Sequence, residues 1–418
     1  MEPESEDTHK IINFIQNIPN RICNPLKFSD KSRFFLSQLI NDCKTAINGK
    51  KQSHTKTDSR FIGADHPFPK STSYDTVPTE IALIIHHHEK YSYKASVAIH
   101  NRTYNFNVIL FPKRQSLPVL QKEAQQIVDQ ACLWLQFGTK YAPQHCSNVV
   151  DVFLYMTDHK KVLPKLSRDH IAMTHVNTAF TTSCATNTEI TLFRKEEWFK
   201  VFIHESFHNL GLDFSQFPEP TAAANAQILA VFPVNTDIKL YESYCEMWAE
   251  IINVMIRTII KHPRTGADKM IGHIERDLQY ERVYSLFQMA KLMNHFGINY
   301  SDLHEASPKR SQYREKTAAF SYFVIKSLLM YNVDAFVEWC LTNNSGSNML
   351  GSNMLGSFAF KNPDTNCVKY AREMVVSRFK QPEYVKIVDN VEDSFFSPRM
   401  RIQNTKFIYD NMRMSVFG

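Results

Sequence analysis

The chain of 418 residues carries 48 Lys and Arg against 42 Asp and Glu, a formal net charge of +6, and no Lys/Arg block in it is dense enough to form a nucleic-acid groove. Apolar residues make up 43% and charged residues 22%, which supports a sizeable core and excludes wholesale disorder. Its 11 glycines are roughly a third of the usual share, and with neither GxGxxG nor GxxxxGK[ST] in the sequence the nucleotide-binding classes that need Gly-rich phosphate loops are excluded.

The start, MEPESEDTHK, is acidic and polar, without the basic and apolar regions of a secretory signal. No run of about 18 apolar residues occurs, so no membrane span is expected. These features predict an intracellular, cytoplasmic protein. The eight cysteines include no CxxC pair, and in a reducing compartment they are expected to be buried thiols. IINFIQNI and residues 31–47 show helical apolar spacing, and NGKKQSHTKTDSR reads as a polar loop. Residues 1–75 are therefore expected to be a helical arm and linker.

Three runs in 80–113, EIALIIHHHEK, YSYKASVAIHN and TYNFNVILFPK, predict an antiparallel meander. Alternation along the first would set His87 opposite His86 and His88. That cluster reads as surface histidines, with a second metal site as the lesser alternative. Residues 118–137 predict an amphipathic helix and 149–156 a buried strand. HVNTAFTTSC (175–184) and EITLFR (189–194) predict strands, and KEEWFKVFIHESFHNL (195–210) a helix that stops at Gly211. Helical patterns follow at 245–260, 274–297, 314–341 and 364–379. Strands come first and helices after, which is an α+β order. It suggests an α/β upper subdomain over 76–215 and a mostly helical lower subdomain over 216–418. The tandem GSNMLGSNMLGS (346–357) reads as an expanded surface loop.

His204-Glu205-Ser206-Phe207-His208 is an HExxH motif. On a helix its histidines lie one turn apart on one face and can reach the same ion. Glu205, one step round, can take the proton from a metal-bound water. A third protein ligand is needed. Asp213 is one candidate, although position 214, where the HExxHxxGxxH pattern has its third histidine, is Phe. Glu246 and Glu250 are the others: they share a face of an apolar helix, so one can bind the metal while its neighbour hydrogen-bonds a ligand histidine. Buried carboxylates need a cationic partner. Tyr241 and Tyr244, close in sequence to Glu246, are candidate oxyanion donors.

HESFH, followed some forty residues on by EMWAE, resembles the gluzincin branch of the zincin zinc metallopeptidases. The pattern is similar to that of the anthrax lethal factor protease domain, with Met247 where an aromatic is expected. The resemblance covers roughly residues 175–256. It implies a Zn²⁺ cofactor, Glu246 as third ligand and Glu250 as the carboxylate behind a ligand histidine. It also implies a small twisted sheet, an active-site helix beneath it and a helical lower part. VNTAFTTSC would be an edge strand to which a polypeptide substrate adds as an extra strand. Low glycine, Asn/Lys-rich loops and the GSNML duplication suit an AT-rich genome, such as that of a large DNA virus. A zincin-fold protein that binds metal without turnover, for example a virion component or host-factor binder, is the alternative function.

Overall fold

The computed structural model describes residues 5–17, 22–49, 55–345, 356–396 and 406–418. Most of the GSNML duplication (346–355) lies outside the described residues. The strands are β1 (Thr55–Ile62), β2 (Lys90–Ile99), β3 (Arg102–Leu110), β4 (Val149–Tyr155), β5 (Ala179–Thr181) and β6 (Asn187–Leu192). The helices are α1 (Glu6–Gln16), α2 (Asp30–Asn48), α3 (Thr79–His87), α4 (Leu117–Gly138), α5 (Met173–Val176), α6 (Trp198–Asn209), α7 (Pro218–Val231), α8 (Leu240–Lys261), α9 (Ala267–His295), α10 (Tyr300–His304), α11 (Lys326–Tyr331), α12 (Val333–Asn343), α13 (Pro363–Tyr370), α14 (Pro382–Phe396) and α15 (Lys406–Asp410). The protein is α+β with one mixed sheet.

Two compact units are present. The sheet-bearing one comprises Ile40–Lys160 and Asn177–Gln216. The helical one comprises Pro3–Leu39, Lys161–Val176 and Phe217–Gly418. Of the N-terminal stretch 1–75, residues 3–39 thus count with the helical unit, and the boundary falls inside α2.

In the first unit the strand order is β1-β2-β3-β4-β6-β5. β1, β2 and β3 are antiparallel, β3, β4 and β6 run parallel, and β5 returns antiparallel along β6 as an edge. Successive side chains of a strand face opposite ways. Val150, Val152 and Leu154 of β4 are accordingly buried together, while Phe153 and Tyr155 point to the other face. There they join Ile62, Phe68, Tyr74, Val77, Ile81, Ile85, Ile109 and Phe193 in one core. α4 packs on β2 and β3, and α6 packs on β5, β6 and α4. Trp134 of α4 stacks on Phe207 of α6, centroids 5.8 Å apart and rings 2° from parallel.

Three sequence readings need correction here, the first being HVNTAFTTSC (175–184), which begins in helix α5 and is strand only at β5, Ala179–Thr181. EIALIIHH is helix α3, not the first strand of the meander. Pro78 stands at its N-cap, and Ile81 and Ile85, one turn apart, are its buried residues, so spacing of four outweighs the β-branched composition. The third antiparallel strand is instead β1, inside the stretch expected to be a loop. Its burial is exposed at all but two positions, and an edge strand wetted on both faces carries no apolar alternation to read.

α8 runs through the core of the helical unit. Trp248 lies 5.9, 5.5 and 5.8 Å from the rings of Phe35, Phe336 and Phe358. The pattern over 314–341 resolves into a π-helical turn, Phe320–Ile325, leading into α11, and a bend of 89° before α12. No single helix among the described residues is long and apolar enough to span a membrane.

The last described stretch, 411–417, is buried throughout. The Glu281 carboxylate accepts the backbone N–H groups of Val416 (3.0 Å) and Phe417 (3.2 Å) and the Ser415 hydroxyl (2.9 Å). Asn253 Nδ2 donates to the Phe417 carbonyl (2.7 Å), and the Thr8 hydroxyl to that of Val416 (3.0 Å). Lys291 Nζ donates to the carbonyls of Ile408 (2.9 Å) and Asn411.

Burial also pushes two carboxyls of this unit, Glu315 and Glu392, up to about 7 from an ordinary 4.5. The fold favours their neutral forms. Their contribution to stability is full below pH 4.5 and is lost as pH rises through 7. Glu315→Gln keeps a neutral side chain at every pH, so its stability relative to wild type is expected to rise between pH 5 and pH 8 by about 2–3 kcal/mol. Urea unfolding of both proteins at the two pH values measures this, and a constant difference would overturn it.

Candidate metal centre

The HExxH residues lie on α6, buried from Phe199 to Asn209. The helix needs a firm stop, because His208 is in its last turn. The Leu212 amide donates to the Phe207 carbonyl (2.8 Å) and the Gly211 amide to that of His208 (3.2 Å), the paired bonds of a Schellman cap. Gly211 has φ +64°, and a β-carbon there would meet Cys146 Sγ at 2.8 Å. Backbone sign and space both require glycine.

His204 and His208 bring their Nε2 atoms to 3.2 Å, and both residues are buried. On the far side of the His208 ring, Nδ1 lies 2.7 Å from Asp213 Oδ2. The Ser215 hydroxyl donates to the other Asp213 oxygen (3.0 Å). A carboxylate only accepts, so His208 Nδ1 carries the proton and a neutral His208 presents a bare Nε2 lone pair towards His204. Two ligand nitrogens at about 2.0–2.1 Å from a tetrahedral zinc stand about 3.3 Å apart, so the observed separation fits a shared ion.

Asp213, weighed in sequence as a third ligand, meets His208 at Nδ1. Its carboxylate faces the ring nitrogen pointing away from His204 and fixes the tautomer and tilt of His208. In sequence the only sign of this is an acid five residues past the second histidine. Glu205 is buried on the same helix.

Glu246 and Glu250 sit one turn apart on α8, both buried in the helical unit. Their cationic neighbour within that unit is Lys326, at the end of the π-helical turn. Its Nζ lies 2.5 Å from Glu250 Oε1 and 3.7 Å from Glu246 Oε2, and donates to the Met414 carbonyl at 2.5 Å. The sequence argument that these carboxylates need a cation is thus met at least in part by a lysine 76 residues beyond Glu250. No sequence pattern marks it. Glu281 belongs to the same buried set: desolvation, then the charge of Glu250, raises its carboxyl.

Tyr244 leaves the list of oxyanion donors. It is fully buried, and its hydroxyl donates to the Phe358 carbonyl (2.7 Å) and accepts from Asn344 Nδ2 (2.9 Å). Tyr241 is half-buried. His86 and His87, at the end of α3, converge rather than oppose. Asp65 Oδ1 is 2.6 Å from His87 Nδ1 and 3.7 Å from His86 Nε2. His88 turns away to the Ile84 carbonyl (2.9 Å).

The cysteine reading is corrected at one pair. Cys146 and Cys184 form a disulfide, Cα atoms 4.8 Å apart, and the other six are buried thiols. The two loops leading into the parallel neighbours β4 and β6 are bonded directly, Ser147 N–H to the Ala185 carbonyl (2.6 Å) and Asn148 N–H to that of Thr186 (2.8 Å). That pairing sets the two cysteines side by side.

Asp213→Asn replaces an obligatory acceptor by an amide that can also donate. It is expected to weaken zinc binding roughly 10- to 100-fold while the chain stays folded, measured by competition with a chromogenic chelator; unchanged affinity would remove the orienting role. Lys326→Met leaves Glu250 buried without its ammonium partner and is expected to cost about 3 kcal/mol or more. Chemical denaturation measures it, and a loss under about 1 kcal/mol would show that the ion pair is not what holds Glu250 in the core.

No protein-family model matches this sequence, and no curated protein or solved structure matches it.

Proposed function

We propose that the chain is a zinc-dependent metallopeptidase of the zincin class, hydrolysing peptide bonds in a polypeptide substrate. The observation that carries the reading is the pair of Nε2 atoms 3.2 Å apart on one buried helix, with His208 anchored from behind by Asp213. Two buried imidazoles so placed have a purpose if they share an ion. A strand leading into this helix, a short antiparallel edge beside it and a separate helical unit also agree with the zincin arrangement.

When bound at His204 and His208, zinc supplies an acidified water and a Lewis acid for the scissile carbonyl. Glu205, one step round the helix, takes the proton of the attacking water and returns it to the leaving amine. Asp213 keeps His208 in the tautomer that offers Nε2. The β5 edge offers the substrate backbone an extended partner. Asn209 Nδ2, next to His208, is 3.4 Å from the Thr181 hydroxyl on that edge, which ties the motif helix to the edge strand. The family pattern, rather than any geometry, assigns the third ligand to Glu246 and the supporting carboxylate to Glu250.

About one zinc per chain in wild type and none in His204→Ala is the expected result of elemental analysis. Glu205→Gln is expected to keep its zinc and lose cleavage of a denatured protein substrate by at least about 100-fold. No zinc in folded wild type after reconstitution would sink the proposal. Zinc without wild-type cleavage would favour a metal-binding role without turnover, and a full equivalent of zinc in Glu246→Gln would overturn that ligand assignment.

A further inference from the structure

The loops that carry Cys146 and Cys184 hold a third ligand type. The ligand atoms of His145, Cys146 and Cys184 all lie within 4.8 Å of one another. Two sulfurs and an imidazole are a donor set preferred by zinc and other soft divalent cations. We infer that this cluster is a second metal site, separate from His204 and His208, which is open to a cation in the dithiol state and closed by the disulfide.

The backbone supports this because it positions the cysteines without help from the S–S bond. Ser147 and Asn148 are bonded to Ala185 and Thr186 as described above. The Cys184 amide donates to the His208 carbonyl (3.2 Å), and the Ser147 hydroxyl to that of Asn209 (2.5 Å). The Thr188 hydroxyl adds a bond to Ser147 Oγ (3.1 Å). Ser147 itself is held in the left-handed region, φ 59°, a conformation that persists only where the surroundings fix it. These bonds survive reduction, so the Cα atoms stay close to their 4.8 Å separation. Side-chain rotation then lets both thiolates reach one ion at about 2.3 Å. Gly211 provides the room beside Cys146 Sγ that a side chain would fill. His145 is exposed and Cys184 half-exposed, which gives a reductant and a cation a path from solvent.

The chemistry balances with a low-molecular-weight thiol as reductant. Two such thiols give up two electrons and two protons, the Cys146–Cys184 bond breaks to two thiols, and the reductant leaves as its own disulfide. Metal binding then releases the two thiol protons. This site rests on its own residues and does not require the peptidase reading.

The test uses Co²⁺ with the full chain, oxidised and reduced. Thiol titration fixes the state first: reduction is expected to add two reactive thiols to the denatured count. Reduced wild type is then expected to show a thiolate-to-cobalt charge-transfer band, and so is reduced His204→Ala, in which the HExxH site is broken. Oxidised wild type and reduced Cys184→Ser should lack it, and His145→Ala should weaken the affinity at least about tenfold. The oxidised and reduced wild-type pair keeps the test valid if a cysteine variant fails to fold. A disulfide that resists reduction, or a reduced protein with no band, would overturn the inference and leave the pair as a covalent staple. A band that persists in Cys184→Ser would do the same, since it would come from other cysteines.

Discussion

Only one proton, or one cation, fits between two imidazole nitrogens 3.2 Å apart. The surroundings of the motif helix depend on that constraint. Asp213 accepts the N–H of His208 on the remote nitrogen, so that the near one is bare. Asp213 can do so because the chain reverses sharply at Gly211, and Gly211 can reverse because it lacks a β-carbon. Trp134 of α4 stacks on Phe207 of the motif helix.

The sequence made the motif legible because HExxH is a local statement: four residues of spacing decide which side chains share a helix face. β4, β6, α4 and α6 were legible for the same reason, as alternation or amphipathic spacing over one element. Legibility failed where the deciding neighbour is remote or absent. α3 has a strand's composition, and its packing, through Ile81 and Ile85, makes it a helix. β1 is a strand because β2 accepts it, with no apolar face of its own to show. The π-helical turn at 320–325 is a local change of register whose composition, FSYFVI, reads the same in an α-helix. Lys326 and Glu250 are partners across 76 residues, and no pattern in a single sequence marks such a pair. Asp213 was visible, but spacing gives its distance from the two histidines and not which ring nitrogen it faces.

Two groups of buried acids, one in each unit, are treated differently by the fold. Asp213 is oriented by two short contacts and serves a ring. Glu246, Glu250 and Glu281 are buried with Lys326 in a core, where desolvation first and then the charge of Glu250 raise the cost of ionisation at Glu281.

That network reaches the stretch 411–417. Glu281 is capped by the amides of Val416 and Phe417, and Lys326 by the carbonyl of Met414, while Thr8 bonds to Val416 across 408 residues. During synthesis, therefore, the helices of this unit are made before the backbone groups that several of their buried side chains bond. At that point Glu281 and Lys326 still lack backbone partners that have yet to emerge. The residues of the sheet-bearing unit end at Gln216. The backbone partners of Glu281 and Lys326 are thus the last part of the described helical unit to be made.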